Sequence, residues 1–331
     1  MHLSRLDIAS DLARVPGATI VTRIAPTMKI ARAQAFAPAS MGNFGVAFDV
    51  IGVAFAEPGD IVCAEWNDTP GAVIAAIEGD GGQLPRDPAR NTATVAANSV
   101  LQRLSATRGV RLTVRKGLPL ASGLGSSAAS AVAAAVAVNA LFGEPLPREE
   151  LLPACLDGEA VVSGYHPDNV GPSLLGGITL ITGPDLREIR HLPVPEALRF
   201  ALVTPNVAVS TAVARALLPQ TVSLRALVAQ TGAVARLVDA LHRGDLEAMA
   251  GAMERDGIIE PARAHLIPLL AEARSAAKRA GALSLVISGA GPTLCAVCDS
   301  DASAQQVAAA LGALYDDAGI ANITRATGVS V

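Results

Sequence analysis

The first third of the chain alternates short apolar runs with turn residues, a pattern typical of β-strands. Pro, Gly and Asp separate the runs, in segments such as EPGD and GDGG, and are predicted to form turns. The predicted strands cover residues 28–36, 49–56, 61–66 and 71–79. This region is therefore expected to be rich in β-structure.

Helical periodicity begins after residue 90, where apolar side chains recur at intervals of three and four. Strand patterns then return at intervals to the end of the chain, whereas residues 164–177 fit neither pattern and are predicted to form a loop. The predicted helices cover residues 91–107, 126–142, 148–162, 210–218, 223–243, 266–279 and 302–314. The further strands cover residues 110–117, 177–181, 200–203, 283–288 and 293–298. This order predicts a mixed α and β protein, and its 331 residues suit two domains.

Composition and charge narrow the range of partners. The formal net charge is −4 and the isoelectric point is about 5.8. Nucleic acids and acidic lipids bind basic surfaces, so neither is an expected partner and a small-molecule substrate is favoured. No charge-free apolar run reaches the ~18 residues that span a bilayer. The longest apolar stretch, residues 128–142, contains Ser130 and Asn139 and is predicted to be a buried helix.

The N-terminus and the cysteines indicate where the protein works. Residues 1–27 carry scattered charges and no apolar segment of a signal peptide, so a cytoplasmic protein is predicted. They precede the first predicted strand and are predicted to be a poorly ordered extension. The four cysteines are scattered, which fits a reducing compartment. Cys295 and Cys298 form a C-x-x-C pair, but positions three apart in a strand face opposite sides. We expect them to pack in the interior rather than to bind metal.

The segment PLASGLGSSAAS, residues 119–130, lies between a predicted strand and a predicted helix. Its glycines leave backbone N–H groups exposed, its serines add hydroxyls, and a helix N-terminus attracts anions. The segment therefore predicts a phosphate site. It lacks the lysine of a Walker A loop. It does match the dinucleotide pattern G-x-G-x-x-A, but the acidic Glu144 leads to another helix instead of ending a second parallel strand. A dinucleotide-dependent oxidoreductase and a tight turn without a ligand are the alternatives.

Three segments in order resemble the motifs of the GHMP small-molecule kinases. They are APASMGNFGVAFDVIG at 37–52, PLASGLGSSAASA at 119–131 and SGAGPTLCAV at 288–297. Within this superfamily the homoserine kinase branch is most similar, through GNFGVAFD, SGYHPDNVGPSLLGG at 163–177 and EPAR before LIP at 260–268. The resemblance covers about residues 28–325.

The resemblance implies a two-domain GHMP kinase fold of the α+β class. An N-terminal ATP-binding domain, related to ribosomal protein S5 domain 2, would cover residues 28–183. A ferredoxin-like α+β domain would cover residues 184–331. The resemblance also implies ATP and Mg²⁺ as cofactors and a homodimer as the assembly.

The same resemblance assigns the nucleotide and metal sites. The residues implied to bind ATP are Pro119, Ser122, Gly123, Leu124, Gly125, Ser126 and Ser127. Ser127 and Glu159 are implied to bind Mg²⁺, which favours few carboxylates together with phosphate oxygens. Ala121 stands where many relatives have Gly, and its Cβ would strain the loop if that position requires a positive φ.

The implied acceptor is L-homoserine, whose side-chain hydroxyl would be phosphorylated in threonine biosynthesis. Arg215 and Arg263 match the residues that bind its carboxylate, for which the planar guanidinium is suited. Asn43 and Asp49 match residues facing the amine. His166 and Asn169 match the pair near the reacting hydroxyl, and Thr211 matches a hydroxyl-bearing site residue. The resemblance gives catalytic roles to Asn169, Arg215, Thr211 and Glu159.

Two questions stay open at this point. Asp168, the carboxylate beside Asn169, is a candidate general base, and the alternative is a site that only positions the hydroxyl. Other GHMP kinases, acting on mevalonate or sugars, are the alternative enzymes. A catalytically silent relative that binds an amino acid or a nucleotide is a further alternative to an active homoserine kinase.

Overall fold

The computed structural model describes residues 31–331. The predicted N-terminal extension and the start of the first predicted strand lie outside the described residues. Within the described part the strands form two sheets, of six and four strands. The strands are β1 (Arg32–Met41), β2 (Ile51–Asn67), β3 (Ala72–Glu78), β4 (Gly109–Arg115), β5 (Ile178–Ile181), β6 (Ile189–Leu192), β7 (Arg199–Pro205), β8 (Ser284–Ile287), β9 (Leu294–Cys298) and β10 (Asn322–Thr327).

The α-helices of the described part follow most of the predicted helical segments. They are α1 (Thr92–Arg103), α2 (Ser126–Leu141), α3 (Leu152–Glu159), α4 (Pro167–Leu175), α5 (Thr211–Ala216), α6 (Leu224–Arg243), α7 (Leu246–Met253), α8 (Ile259–Arg263), α9 (Leu270–Arg279) and α10 (Asp301–Asp317). Within residues 31–331 none is long and apolar enough to cross a membrane.

The six-stranded sheet has the order β3-β4-β2-β5-β6, with β1 paired to β2. Its long strand β2 corrects the prediction of two strands separated by a turn at EPGD. The strand is paired with β1 on both sides of residues 55–58, because the register shifts between Pro38, opposite Gly59, and Ser40, opposite Ala54. Gly59 allows the close approach, since a Cβ there would lie 2.3 Å from the Ala37 carbonyl oxygen.

Helix α2 is enclosed on all sides, as its composition predicts. It packs on β1 and β2 and against α1 and α3. Every residue from Ala128 to Leu141 is buried. Small alanine side chains let the helix approach the sheet closely, and a helix that is apolar all round belongs in a core.

The predicted loop over residues 164–177 is wrong, because α4 occupies most of it. Pro167 stands in the first turn, where no intrahelical N–H donor is required. Val170 and Leu174 are buried in the core, so packing supports a helix that contains a second proline, Pro172. The predicted helix over 148–162 is also shorter, a 3₁₀ turn at Arg148–Leu151 followed by α3.

The four-stranded sheet is antiparallel, in the order β10-β7-β9-β8. Helices α9 and α10 pack on this sheet. The ring of Phe200 in β7 contacts the rings of Phe44 and Phe55 edge-to-face. Cys295 and Cys298 are unpaired and lie in different hydrophobic clusters, which confirms that they face opposite sides of β9. The domain division between residues 183 and 184 stays a prediction, and β6, which follows it, pairs with β5 of the first sheet.

Candidate active site

A cavity of about 440 Å³ opens where the segment after β1, the segment before α2, and helices α4, α5 and α8 meet. Most of the residues predicted from the sequence surround it. They are Asn43, Asp49, Ser122, Gly123, Gly125, Ser126, Ser127, Glu159, His166, Asn169, Thr211, Arg215 and Arg263. The structure does not bring Pro119 and Leu124 to this cavity, and both line a neighbouring one.

The loop before α2 has a backbone that glycine alone allows at two positions. Gly123 has φ 78° and Gly125 has φ 62°. A Cβ on Gly123 would lie 2.3 Å from the Ser288 carbonyl oxygen, and one on Gly125 would lie 2.2 Å from Ser40 Oγ. Gly125 is the N-cap of α2 and provides no side-chain cap for the first turn. The first-turn N–H groups and the helix dipole therefore suit an anion such as phosphate.

Both sheets hold this loop in place. Ser288 Oγ donates to the Gly123 carbonyl at 2.8 Å, and the Thr293 N–H donates to the Ser122 carbonyl at 3.2 Å. From the other side the Ser40 N–H donates to the Leu124 carbonyl at 3.1 Å. The three sequence motifs that carry the resemblance thus meet at one place.

Ala121 has φ 51°, in the left-handed region. A Cβ is disfavoured there, by roughly 1–2 kcal/mol. The predicted strain in the loop is therefore present in the backbone.

Glu159 and two serines form a polar group beside the loop. Ser127 Oγ donates to Glu159 Oε1 at 2.9 Å. Burial raises the pKa of Glu159 to about 7. Glu159 Oε2 and Ser126 Oγ are buried without a hydrogen-bond partner among the described residues.

This arrangement fits a magnesium ion better than a metal that takes all its ligands from protein. Among residues 31–331 no group of three or more His, Cys, Asp or Glu side chains could hold a metal. Mg²⁺ typically takes one or two carboxylates and completes its shell with phosphate and water oxygens. One buried carboxylate with an unsatisfied oxygen, next to an anion site, meets that requirement.

A buried ion pair beneath the loop escaped the sequence analysis. Lys116 Nζ donates to Asp60, to the Ser126 carbonyl at 2.9 Å and to Ser130 Oγ at 2.8 Å. Asp60 also accepts from the N–H groups of Gly117 and Leu118. Burial lowers the pKa of Lys116. The position of Lys116, at the end of a strand and just before the phosphate loop, could have indicated a role in the site. Its partner Asp60 could not be identified, because it lies in the EPGD segment that was predicted to be a turn.

Two arginines and an aspartate converge opposite the loop. Arg215 forms a bidentate pair with Asp49, at 3.0 Å and 3.1 Å. Arg263 is 3% exposed and donates to the carbonyls of Ala214 and Gly289, both at 3.2 Å. The sequence could not establish this convergence, because 47 residues separate the two arginines.

The start of α4 brings two further polar residues to the cavity. Asn169 Nδ2 donates to Asp168 Oδ2 at 3.0 Å, and Ser40 Oγ donates to Asn169 Oδ1 at 3.1 Å. Burial raises the pKa of Asp168 to about 7, and the nearby charge of Asp49 adds to this effect. Asp168 therefore lies near the midpoint of its titration at neutral pH.

Comparison with known proteins agrees with this geometry. The chain matches the family models for the GHMP kinases N terminal domain over residues 91–177 and the GHMP kinases C terminal domain over residues 237–317. It is 40% identical to the homoserine kinase of Chloroherpeton thalassium over 287 residues, covering 83% of this chain and 90% of that protein.

Two solved structures show how far the likeness extends. The crystal structure of homoserine kinase from Cytophaga hutchinsonii has a TM-score of 0.88 at 37% identity, covering 93% of this chain and 97% of that chain. The L. major mevalonate kinase, in complex with R-mevalonate, has a TM-score of 0.68 at 20% identity, covering 89% and 96%. The second likeness shows a shared fold alone.

Proposed function

The chain belongs to the GHMP kinase family and, within it, to the homoserine kinases, and on that premise we propose that it phosphorylates L-homoserine with ATP. The γ-phosphoryl group of ATP passes to the side-chain hydroxyl, giving O-phospho-L-homoserine and ADP. The reaction belongs to threonine biosynthesis.

One observation carries the choice of acceptor: a phosphate cradle and a pair of opposite charges share one cavity. A free amino acid has a carboxylate and an ammonium, which Arg215 and Asp49 would bind respectively. Arg215 Nε is buried without a hydrogen-bond partner among the described residues, so it is available to an incoming carboxylate. Mevalonate and sugars lack the ammonium, so they would bring no cation of their own to Asp49.

Phosphoryl transfer depends on positioning and on neutralising charge, because its transition state is loose. The N–H groups at the start of α2, with Ser126 and Ser127, would bind the phosphates. When bound, Mg²⁺ neutralises phosphate charge, and Ser127 and Glu159 would hold it. Asn169, His166 and Thr211 would orient the acceptor hydroxyl.

The fate of the hydroxyl proton depends on Asp168. Its pKa of about 7 would let a fraction of the enzyme accept a proton at neutral pH. We propose positioning by Asn169 as the main contribution, with Asp168 as the only base candidate beside it. A loose transition state permits late proton loss, so a strong base is not required.

The proposal includes Mg²⁺ as the metal, a homodimer as the assembly and the cytoplasm as the compartment. The unsatisfied oxygen of Glu159 supports the metal. The four unpaired cysteines are compatible with a reducing compartment. Light scattering of the purified chain tests the dimer.

The decisive experiment is a steady-state assay of ATP-dependent phosphorylation with L-homoserine, mevalonate and galactose as separate acceptors. We expect turnover of L-homoserine alone, and its loss when the divalent metal is chelated. Arg215→Ala should lower kcat/KM for L-homoserine by about 100-fold, since charge-assisted hydrogen bonds of this kind contribute up to roughly 3 kcal/mol.

Arg225→Ala is the matched control, because Arg225 is an exposed residue on α6, and its activity should equal that of the wild type. Turnover of mevalonate or galactose would retain the phosphate site and reject the acceptor. Nucleotide binding without turnover of any acceptor would favour a catalytically silent relative.

A further inference from the structure

Phe48 lies against both arginines of the acceptor site. The guanidinium carbon of Arg215 is 5.3 Å from the centre of the Phe48 ring, and that of Arg263 is 5.1 Å from it. Both distances are within the range of cation–π attraction, which reaches to about 6 Å. The ring also lines the cavity.

The two arginines need such a partner because they repel each other. Burial is the largest cause that lowers the pKa of Arg263, and the positive charge of Arg215 is the second largest. Asp49 forms its bidentate pair with Arg215, whereas Arg263 donates to backbone carbonyls. The ring of Phe48 contacts both cations, and its negative face, together with the nearby charge of Asp49, offsets part of their repulsion.

The backbone explains how adjacent residues reach the same cation. Consecutive side chains of an extended chain point to opposite sides. Residues 48–50 instead form a turn, in which Asp49 has φ 58°, in the left-handed region. Phe48 and Asp49 therefore both contact Arg215, one through the ring face and the other through the carboxylate.

We propose that Phe48 is a positioning residue that holds Arg215 and Arg263 at the spacing required by an acceptor carboxylate. This inference rests on the proposed function, since it assumes that the two arginines bind the carboxylate of L-homoserine.

The test compares Phe48→Leu, which removes the ring, with Phe48→Tyr, which keeps it. Phe48→Leu loses two cation–π contacts, so its KM for L-homoserine should rise by about 5- to 30-fold. Phe48→Tyr should stay within about 3-fold of the wild type, and the KM for ATP should be unchanged in both. L-2-Aminobutyrate has the carboxylate and the ammonium but no hydroxyl, so it should act as a competitive inhibitor. In Phe48→Leu its inhibition constant should rise by the same factor as the KM for L-homoserine.

Phe142→Leu is the control, since Phe142 packs on Trp66 at the far end of α2 and its loss should leave the KM for L-homoserine unchanged. A Phe48→Leu protein that loses kcat or ATP affinity equally would contradict the inference, as would a Phe48→Tyr protein that is equally impaired. Circular dichroism confirms that each variant is folded.

Calorimetric binding of L-homoserine, measured without ATP, separates the two proposals. Wild-type binding without phosphoryl transfer would reject the proposed function, while the variants would still test Phe48. A wild-type protein that neither binds nor phosphorylates L-homoserine would reject both.

Discussion

At the scale of single residues, the site contains a carboxyl group, that of Asp168, whose burial disfavours the ionised form. The pKa of Asp168 rises from 3.8 to about 7 in the folded protein, chiefly because it is buried. The folded protein therefore holds this proton more tightly than the unfolded chain does. Stability from this group is fully present below about pH 4 and is lost as the pH rises to about 7.

Asp168→Asn should remove that loss, because the amide is neutral at every pH and can still accept from Asn169. The free energy of unfolding of the variant should exceed that of the wild type by a margin that grows up to about pH 7 and then stays constant. One pKa unit corresponds to about 1.4 kcal/mol, so the margin is at most about 4 kcal/mol. Urea denaturation at several pH values measures it.

The control for this prediction is Asp317→Asn, at the exposed end of α10. It should change the free energy of unfolding by less than about 0.5 kcal/mol at pH 8. Parallel pH curves for wild type and Asp168→Asn would contradict the prediction.

Motifs identify residues, but contacts decide what the residues do. Asp49, Arg215 and Arg263 could be taken from the sequence by resemblance, and the structure brings them to one cavity. Phe48 could not, because an aromatic residue that follows Val46 and Ala47 looks like the end of an apolar core segment. Its contacts with two arginines depend on segments more than 160 residues away along the chain.

At the scale of secondary-structure elements, β2, β4 and α2 share one buried charge pair. Asp60 of β2 pairs with Lys116 after β4, and both side chains are almost completely buried. Lys116 also contacts Ser126 and Ser130 in the first turns of α2. The pair therefore attaches the start of the phosphate-loop helix to the sheet.

Lys116→Met should destabilise the protein by about 3–5 kcal/mol, because it leaves the Asp60 carboxylate buried without its cation. The double variant Lys116→Met/Asp60→Asn should recover part of this loss, since no buried charge remains. Thermal unfolding of both variants measures the difference. A double variant that is less stable than Lys116→Met would indicate that the hydrogen bonds of Asp60, rather than its charge, dominate.

Elements with strong periodicity could be predicted, and those supported mainly by packing could not. The predicted helices over 91–107 and 223–243 correspond closely to α1 and α6, which have clear polar and apolar faces. Helix α4 was missed because two prolines in its sequence indicate a loop, whereas burial of Val170 and Leu174 stabilises the helix. The turn predicted at EPGD failed because pairing with β1 on both sides of it was not visible in the sequence.

At the scale of the whole molecule, the second sheet completes a site that lies mostly on the first. The segment between β8 and β9 reaches across to the phosphate loop, where Ser288 Oγ donates to the Gly123 carbonyl. Asn43 Nδ2 donates to the Gly289 carbonyl at 2.9 Å, so the same segment also touches the acceptor half.

Ser288→Ala should raise the KM for ATP by about 3- to 10-fold, because one hydrogen bond of about 1 kcal/mol no longer holds the loop. Ser284→Ala is the matched control, since Ser284 is buried four residues earlier and its hydroxyl has no partner among the described residues. Its KM for ATP should equal that of the wild type. Equal effects of the two substitutions would show that the loop does not depend on Ser288.

Alternating strands and helices indicated an α and β protein, and the resemblance supplied the two-domain GHMP kinase fold that the comparisons confirm. The order of strands in the sheets could not be obtained from periodicity. Pairings such as β7 with β10 join positions more than 110 residues apart, and the pattern of either strand alone does not specify its partner.

The opposite orientation of Cys295 and Cys298 on β9 has an experimental use. One thiol lies in the larger hydrophobic cluster and the other in the smaller one, although only two residues separate them. A thiol reagent added during partial unfolding would label each position at a rate set by the opening of its own cluster. Mass spectrometry of the labelled peptide would then report whether the two hydrophobic clusters of this enzyme open together or in sequence.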